Sequence, residues 1–281
     1  MSVLREFNLS APDCRPCAVR VALPAGLMPP QGWPVAYVLD LKQFDVMRAD
    51  SAGLPGLLVG LGPQVPQDRV LEYVPAGWRR RQGPGDTVAS ADLLPDSPMS
   101  AQAVAGRAGA AAWLRTLDQV RGLIAGDFRL DPGRQVFCGH SLGALFGLYV
   151  LLHRPRAFSA YALSSPSVWW GQQYLDRLRR RRLDWLCGQG LPPLGLWLTV
   201  GAHEQGLSPQ EQADPALDAM TREHRLRQRQ SRAMVDGLQN LAADFARCPG
   251  LRLHAAVLPG HHHQSASADS LMSGWRWLLS A

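Results

Sequence analysis

Gln135-Val136-Phe137-Cys138-Gly139-His140-Ser141-Leu142-Gly143-Ala144-Leu145-Phe146-Gly147-Leu148-Tyr149-Val150 is the stretch that decides the fold of this chain. A short apolar run meets a longer apolar run, with only Gly-His-Ser-Leu-Gly between them. The first reads as a strand and the second as a helix, so Ser141 stands on the tight turn that joins them. A bare G-x-S-x-G pentapeptide is common. Placed between a strand and a helix, it marks a nucleophile elbow, with the hydroxyl standing free at the end of a sheet. The flanking glycines keep Cβ atoms out of the strand–helix contact, and the turn forces a strained backbone on the serine.

A nucleophilic serine needs a base, and behind such an elbow the acid and then the histidine follow along the chain. The last strand-like run, Leu251 to Leu258, leads into Pro259-Gly260-His261-His262-His263 and a closing helix near 267–279. Any of the three histidines fits the base. A metal site is the weaker alternative there, because consecutive side chains diverge and no Cys or carboxylate stands at ligand spacing. The preceding strand, Leu194 to Val200, ends in Gly201-Ala202-His203-Glu204. Glu204 is therefore the candidate acid, with Asp214 and Asp218 near enough to substitute. His203 precedes the place where a base is expected.

With 281 residues and 46% hydrophobic content, the chain is long enough for one large core, and a single domain over 1–281 is expected. No apolar stretch reaches the roughly 18 residues a membrane helix needs. The N-terminus, Met1-Ser2-Val3-Leu4-Arg5-Glu6, lacks an apolar signal core, which points to the cytoplasm for the chain as written; a trimmed N-terminus would look the same and leaves the periplasm open. The five cysteines, Cys14, Cys17, Cys138, Cys187 and Cys248, are odd in number and scattered, so no disulfide framework is expected. Cys14-Arg15-Pro16-Cys17 imitates a redox pair but falls in an N-terminal hairpin rather than at a strand-to-helix junction. Cys138, inside the elbow strand, reads as a small core residue.

The formal net charge is +6, and of 29 basic residues only Lys42 is a lysine. Arginine pairs with planar anions and stacks on aromatic rings. No nucleic-acid-binding motif accompanies the charge, so an anionic small molecule is the sharper expectation. The runs Arg79-Arg80-Arg81 and Arg177, Arg179 to Arg182 read as solvated faces.

Strands are expected near 3–10 and 15–23 as an antiparallel pair, then near 34–40, 56–60, 135–139, 157–163, 194–200 and 251–257. Helices fall near 101–126, 142–153, 171–186, 215–247 and 267–279. The loop-rich region 61–100 reads as an active-site insertion. This alternation is an α/β protein with a mostly parallel, doubly wound sheet and helices on both faces.

The stretch Leu130-Asp131-Pro132-Gly133-Arg134-Gln135, the elbow, Arg154-Pro155-Arg156-Ala157-Phe158 and Ser164-Ser165-Pro166-Ser167-Val168-Trp169-Trp170 together resemble the putative-esterase branch of the α/β-hydrolases. Its best-known members hydrolyse trilactone catecholate siderophores such as ferric enterobactin and salmochelin. The resemblance runs from about residue 33 to the C-terminus. The branch's Arg-x-x-Asp-Tyr-x-Pro element is matched by Arg69 to Pro75 with Glu72 in place of Asp, and its Val-Gly-Glu-x-Glu-Gln by Val200 to Gln205. Its Pro-Gly-x-x-His matches Pro259 to His263 and selects His263 as the base. Its Leu-Asp-Gly after the first central strand reads Leu39-Asp40-Leu41, so the glycine expected beside the second oxyanion N–H is replaced.

The resemblance implies a serine esterase in which Ser141 attacks an ester carbonyl, His263 moves the protons and Glu204 orients His263. The N–H of Leu142 would hold the oxyanion, with Leu41 or Lys42 supplying the partner donor. The implied substrate is an anionic, iron-loaded catecholate trilactone, with Arg69 pairing to it, Trp169 or Trp170 packing on a catechol ring and His140 lining the pocket. Core packing is expected for at least one of the two tryptophans. No cofactor or metal ion is implied. A general carboxylesterase or thioesterase, and a catalytically idle siderophore-binding module, are the alternatives.

Overall fold

A computed structural model describes residues 3–49, 53–65, 69–74, 109–170, 172–188 and 193–280. The strands are β1 (Val3–Leu9), β2 (Cys17–Leu23), β3 (Trp33–Leu39), β4 (Leu57–Pro63), β5 (Leu130–His140), β6 (Ala160–Ser164), β7 (Leu194–Gly201) and β8 (Leu251–Leu258). They form one sheet in the order β1-β2-β4-β3-β5-β6-β7-β8. The β1–β2 and β2–β4 pairs are antiparallel, and β4-β3-β5-β6-β7-β8 run parallel. All C-terminal ends of the parallel strands therefore open on one edge, where loops of an α/β sheet carry function.

The helices are α1 (Leu41–Arg48), α2 (Arg69–Tyr73), α3 (Ala110–Asp127), α4 (Leu142–His153), α5 (Gln172–Gly188), α6 (Pro209–Ala213), α7 (Ala219–Arg232), α8 (Met234–Phe245) and α9 (His263–Leu279). Strand side chains alternate between faces, and the two cores separate accordingly. Val35, Tyr37, Leu39, Phe137, Tyr161, Leu163, Leu196 and Leu198 pack against α3, α4 and α8. Ala36, Val38, Leu58, Val136, Cys138 and Ala162 pack against Phe44 and Met47 of α1 and Leu271, Met272 and Trp275 of α9. The central strands are buried on both faces, which is why their sequences read as near-continuous apolar runs. Helix α4 is buried from Gly143 to Leu152 and lies tight on the sheet; a Cβ at Gly147 would sit 2.4 Å from Leu163 and 2.7 Å from the Phe137 ring.

Most expected elements stand where the pattern put them, and the departures have local causes. The single helix expected over 215–247 is two helices, separated at Ala233 with φ 46° and ψ 46°. No residue of α7 is buried, whereas α8 buries Met234, Leu238, Leu241 and Phe245, so the chain turns there to bring an apolar face down. The Gln205 carboxamide oxygen accepts the N–H groups of Val235 and Asp236 and satisfies the start of the second helix. Helix α1 was not expected; its low hydrophobic content hides the two anchors, Phe44 and Met47.

The expectation of no disulfide is corrected by the bond between Cys187, at the end of α5, and Cys248, just before β8. These cysteines are 61 residues apart in sequence, and only the fold brings them together. Cys14, Cys17 and Cys138 are free thiols. Burial, and then the neighbouring Cys14, push the Cys17 thiol up to about 12, the opposite of a reactive redox cysteine. Most of the insertion expected over 61–100, including Arg79 to Arg81, lies outside the described residues. Among the described residues no helix is long and apolar enough to cross a membrane.

Candidate active site

Ser141 lies between β5 and α4 with φ 59° and ψ −118°, a conformation that L-residues rarely adopt. The glycine before it is required by contact: a Cβ at Gly139 would meet the Gly143 carbonyl oxygen at 2.5 Å. The Ser141 N–H donates to the Ser164 carbonyl at 3.0 Å, and its own carbonyl accepts the Leu145 N–H at 3.0 Å. Strand β6 and helix α4 thus fix the strained turn from both sides.

Three side chains, from the elbow, the end of β7 and the start of α9, meet at this point. His263 Nε2 lies 3.0 Å from Ser141 Oγ, and His263 Nδ1 lies 2.6 Å from Glu204 Oε2. Glu204 sits in a one-turn 3₁₀ helix at the end of β7, with its side chain 1% exposed, while that of His263 is 36% exposed. Burial pushes the Glu204 carboxyl up, but hydrogen bonds from His263, Ser165 and the Gly201 N–H outweigh it and hold the group below its ordinary range. A carboxylate kept ionised there favours the tautomer with hydrogen on Nδ1 and leaves Nε2 free to accept.

The three consecutive histidines have three separate surroundings. His262 caps α9, its ring accepting from the N–H groups of Gln264 and Ser265. His261 points to Asp269 at 3.3 Å, and its carbonyl accepts the His203 N–H at 2.9 Å. Only His263 of the three lies against the serine. The substitute acids are also occupied elsewhere: Asp214 accepts the Ala216 N–H, and Asp218 caps α7 through the Thr221 N–H.

Leu142 opens α4 and Leu41 opens α1, so two helix N-termini stand at the C-terminal edge of β5 and β3. The first-turn N–H groups of a helix have no acceptor within it, and α1 begins its own bonds only with Gln43 and Phe44 donating to the Asp40 carbonyl. The Leu-for-Gly replacement at 41 is accommodated, because the positive φ of this turn, 79°, belongs to Asp40 and Leu41 is helical. Asp40 Oδ1 accepts the Tyr73 hydroxyl at 2.8 Å, and Asp40 Oδ2 faces Arg69 Nη2 at 2.8 Å.

Arg69 is therefore ion-paired within the protein, near enough to the site to repel a proton from His140. His140 does not line an open pocket. It is 3% exposed, its ring centroid 4.7 Å from that of His263. Burial, and then the repulsion from any proton on His263 and from the Arg69 charge, holds it well below the ordinary histidine range, so it is neutral at pH 7. Trp170 is buried in the main core, while Trp169 is partly exposed under the Arg232 guanidinium, 5.0 Å from the ring centroid. Trp169 and Arg232 line a cavity of about 210 Å³ with Arg179, Asp236 and Asn240.

Sequence reasoning assigned no role to Ser165 and Ser167, which touch Glu204 and Ser141 respectively. The signal was present in Ser164-Ser165-Pro166-Ser167, a cluster of hydroxyls on a turn after a buried strand. The contact of Lys42 Nζ with Gln264 Oε1 at 3.3 Å, bridging the starts of α1 and α9, joins residues 222 apart in the chain and has no local signal.

Among solved structures, the siderophore hydrolase EstA from Aspergillus nidulans superposes with a TM-score of 0.76 at 20% identity, covering 99% of this chain and 95% of that one. That likeness carries the fold. The ferri-bacillibactin esterase BesA of Bacillus subtilis is 29% identical over 197 residues, 66% of this chain and 65% of its own length. The siderophore triacetylfusarinine C esterase of Aspergillus fumigatus is 30% identical over 183 residues, 63% of this chain and 61% of its own length. The chain thus spans less than two thirds of the length of these relatives. Residues 85–242, more than half of the chain and including the elbow and the Ser-Pro-Ser turn, match the family model described as Putative esterase, and to that family this chain belongs.

Proposed function

We propose that the protein is a serine esterase that hydrolyses the ester bonds of an iron-carrying catecholate trilactone. The observation that carries the chemistry is the continuous chain Glu204–His263–Ser141, with separations of 2.6 and 3.0 Å. Ser141 Oγ attacks the ester carbonyl as its proton passes to His263 Nε2, and Glu204 stabilises the imidazolium. The oxyanion is held by the N–H of Leu142 and by that of Leu41 or Lys42. His263 then protonates the leaving hydroxyl, takes a proton from water and directs it at the acyl-enzyme. No step needs a cofactor.

The names of the relatives, a ferri-bacillibactin esterase and a siderophore triacetylfusarinine C esterase, support an ester of a siderophore as the substrate. So does the charge at the rim. Asp40 offsets much of the Arg69 charge, whereas Lys42 is exposed and, among the described residues, its ammonium meets the neutral Gln264 amide. Lys42 is the outer cation that meets an anionic substrate, with Arg69 behind it. Trp169, half open, is the aromatic surface offered to a catechol ring, and Trp170 supports it from the core.

The Cys187–Cys248 disulfide favours an oxidising compartment such as the periplasm as the place of work. The function is tested by comparing kcat/KM for ferric enterobactin with that for short acyl and thioacyl esters. A preference for the ferric trilactone of tenfold or more supports the reading. Preference for the short esters makes the protein a general esterase, and turnover of neither makes it a binding module.

A further inference from the structure

The turn Ser165-Pro166-Ser167 follows β6 and touches both ends of the catalytic chain. Ser165, at φ 47°, donates its hydroxyl to Glu204 Oε1 at 2.5 Å, and its N–H donates to the Thr199 carbonyl at 2.7 Å. Two residues on, Ser167 Oγ lies 3.1 Å from Ser141 Oγ, and the Ser167 N–H donates to the Ser141 carbonyl at 3.2 Å. Ser167 is 3% exposed, so water does not compete freely for its hydroxyl.

The direction of the hydroxyl–hydroxyl bond follows from counting protons. A hydroxyl has one hydrogen to give and two lone pairs to receive. Glu204, ionised and acceptor-only, takes the Nδ1 hydrogen of His263, so neutral His263 has only a lone pair at Nε2 and must accept the Ser141 hydrogen. The hydrogen between the two serines is then the one on Ser167. Ser167 donates into a lone pair of the nucleophile.

We propose that Ser167 is a further catalytic residue, whose hydroxyl holds Ser141 Oγ in its attacking position and stabilises the negative charge that develops there as the proton leaves for His263. A hydrogen bond to an oxygen becomes stronger as that oxygen gains charge, so the contact favours the transition state over the resting enzyme. The same bond acts again when Oγ leaves the acyl carbon in the second half of the cycle. Ser167 keeps its own proton throughout. The other hydroxyl of the turn, on Ser165, is a positioning residue that acts through Glu204. This assignment rests on the serine-esterase reading and goes beyond it in naming a fourth side chain at the reacting oxygen.

Ser167→Ala tests it, with para-nitrophenyl butyrate as the neutral ester and diisopropyl fluorophosphate as a small probe of Ser141 reactivity. The expected result is a fall in kcat of about tenfold to a hundredfold, the scale of one charge-assisted hydrogen bond. KM stays within twofold, the melting temperature is unchanged, and inactivation by the fluorophosphate slows by a similar factor. A kcat within twofold of the parent, a loss carried by KM alone, or undiminished reaction with the fluorophosphate overturns the assignment. A parent protein that turns over no ester and resists the fluorophosphate would instead overturn the esterase reading itself, so the two failures are distinguishable.

Discussion

Arg69 Nη2 lies 2.8 Å from Asp40 Oδ2, and Asp40 is the residue with φ 79° immediately before the first N–H groups of α1. The ion pair, with the Tyr73 hydroxyl on the other oxygen, ties a strained residue to the short helix α2. Burial raises the Asp40 pKa, while Arg69 and Tyr73 act against it. Arg69→Ala is expected to cost about 1–3 kcal/mol, less than orphaning a fully buried ion because the pair is partly exposed. It should also lower kcat several-fold on neutral esters, because the Leu41–Lys42 N–H groups lose their support. If thermal unfolding and neutral-ester turnover are both unchanged, the pair has no positioning role.

Lys42 offers the contrasting case. Its ammonium is exposed and meets an amide, so Lys42→Gln removes charge and little packing. The expected effect is a several-fold rise in KM for ferric enterobactin, with butyrate esters unaffected. The difference should shrink in salt, since exposed charges are screened beyond about 10 Å at 0.1 M. Equal effects on both substrates, or none at any ionic strength, would remove Lys42 from the substrate contact.

The histidine loop predicts three different phenotypes. His263→Ala should reduce turnover as far as Ser141→Ala. His262→Ala should keep most activity but lose about 0.5–2 kcal/mol of stability with the α9 cap. His261→Ala should be mild in both assays. Kinetics and melting curves on the three variants read the pattern directly, and inactivity confined to His261→Ala or His262→Ala would reassign the base.

The Glu211 carboxylate binds Arg229 at 2.6 and 2.7 Å and caps α6 with Ser208. The Arg229 bonds, against a smaller effect of burial, lower its pKa to about 2. A depressed carboxylate contributes stability above its unfolded pKa of about 4.3, and that contribution disappears as the pH falls through the folded value. Glu211→Gln should therefore melt lower than the parent at pH 7, with the gap closing between about pH 4.3 and 2. A gap independent of pH over that window would mean that the bonds, and not the charge, hold the loop.

Cys187 and Cys248, 61 residues apart, join the chain at the end of the sheet opposite the edge that carries Ser141, Glu204 and His263. Cys187→Ser with Cys248→Ser should cost about 2–4 kcal/mol of stability and leave kcat of the folded protein near that of the parent. Mass spectrometry after alkylation without reductant should find both cysteines unmodified. Alkylation of both in protein isolated under oxidising conditions would show that the bond does not form.

What the sequence disclosed and what it withheld divide along the range of the interactions. The elbow and the central strands were legible because each rests on a local pattern, a tight turn or an apolar run, and Glu204 stood out as a carboxylate just past a strand end. His263 itself was not separable from His261 and His262 by local pattern; only the family register chose it, and the geometry now gives each a distinct neighbour. The disulfide, the Asp40–Arg69 pair and the Ser167–Ser141 contact join distant segments, so no periodicity marks them. The break at Ala233 escaped because alanine is the best helix former, and its left-handed turn is imposed by burial of α8 and by Gln205.

The most direct measurement is product analysis of ferric enterobactin by liquid chromatography and mass spectrometry, with the parent protein and Ser141→Ala side by side. Hydrolysis through Ser141 gives the linear trimer and its shorter ester fragments with the parent, and with Ser141→Ala, which still binds the substrate, leaves intact trilactone only. Equal yields of linear product from both proteins, or intact trilactone from both while the parent remains folded, would contradict it.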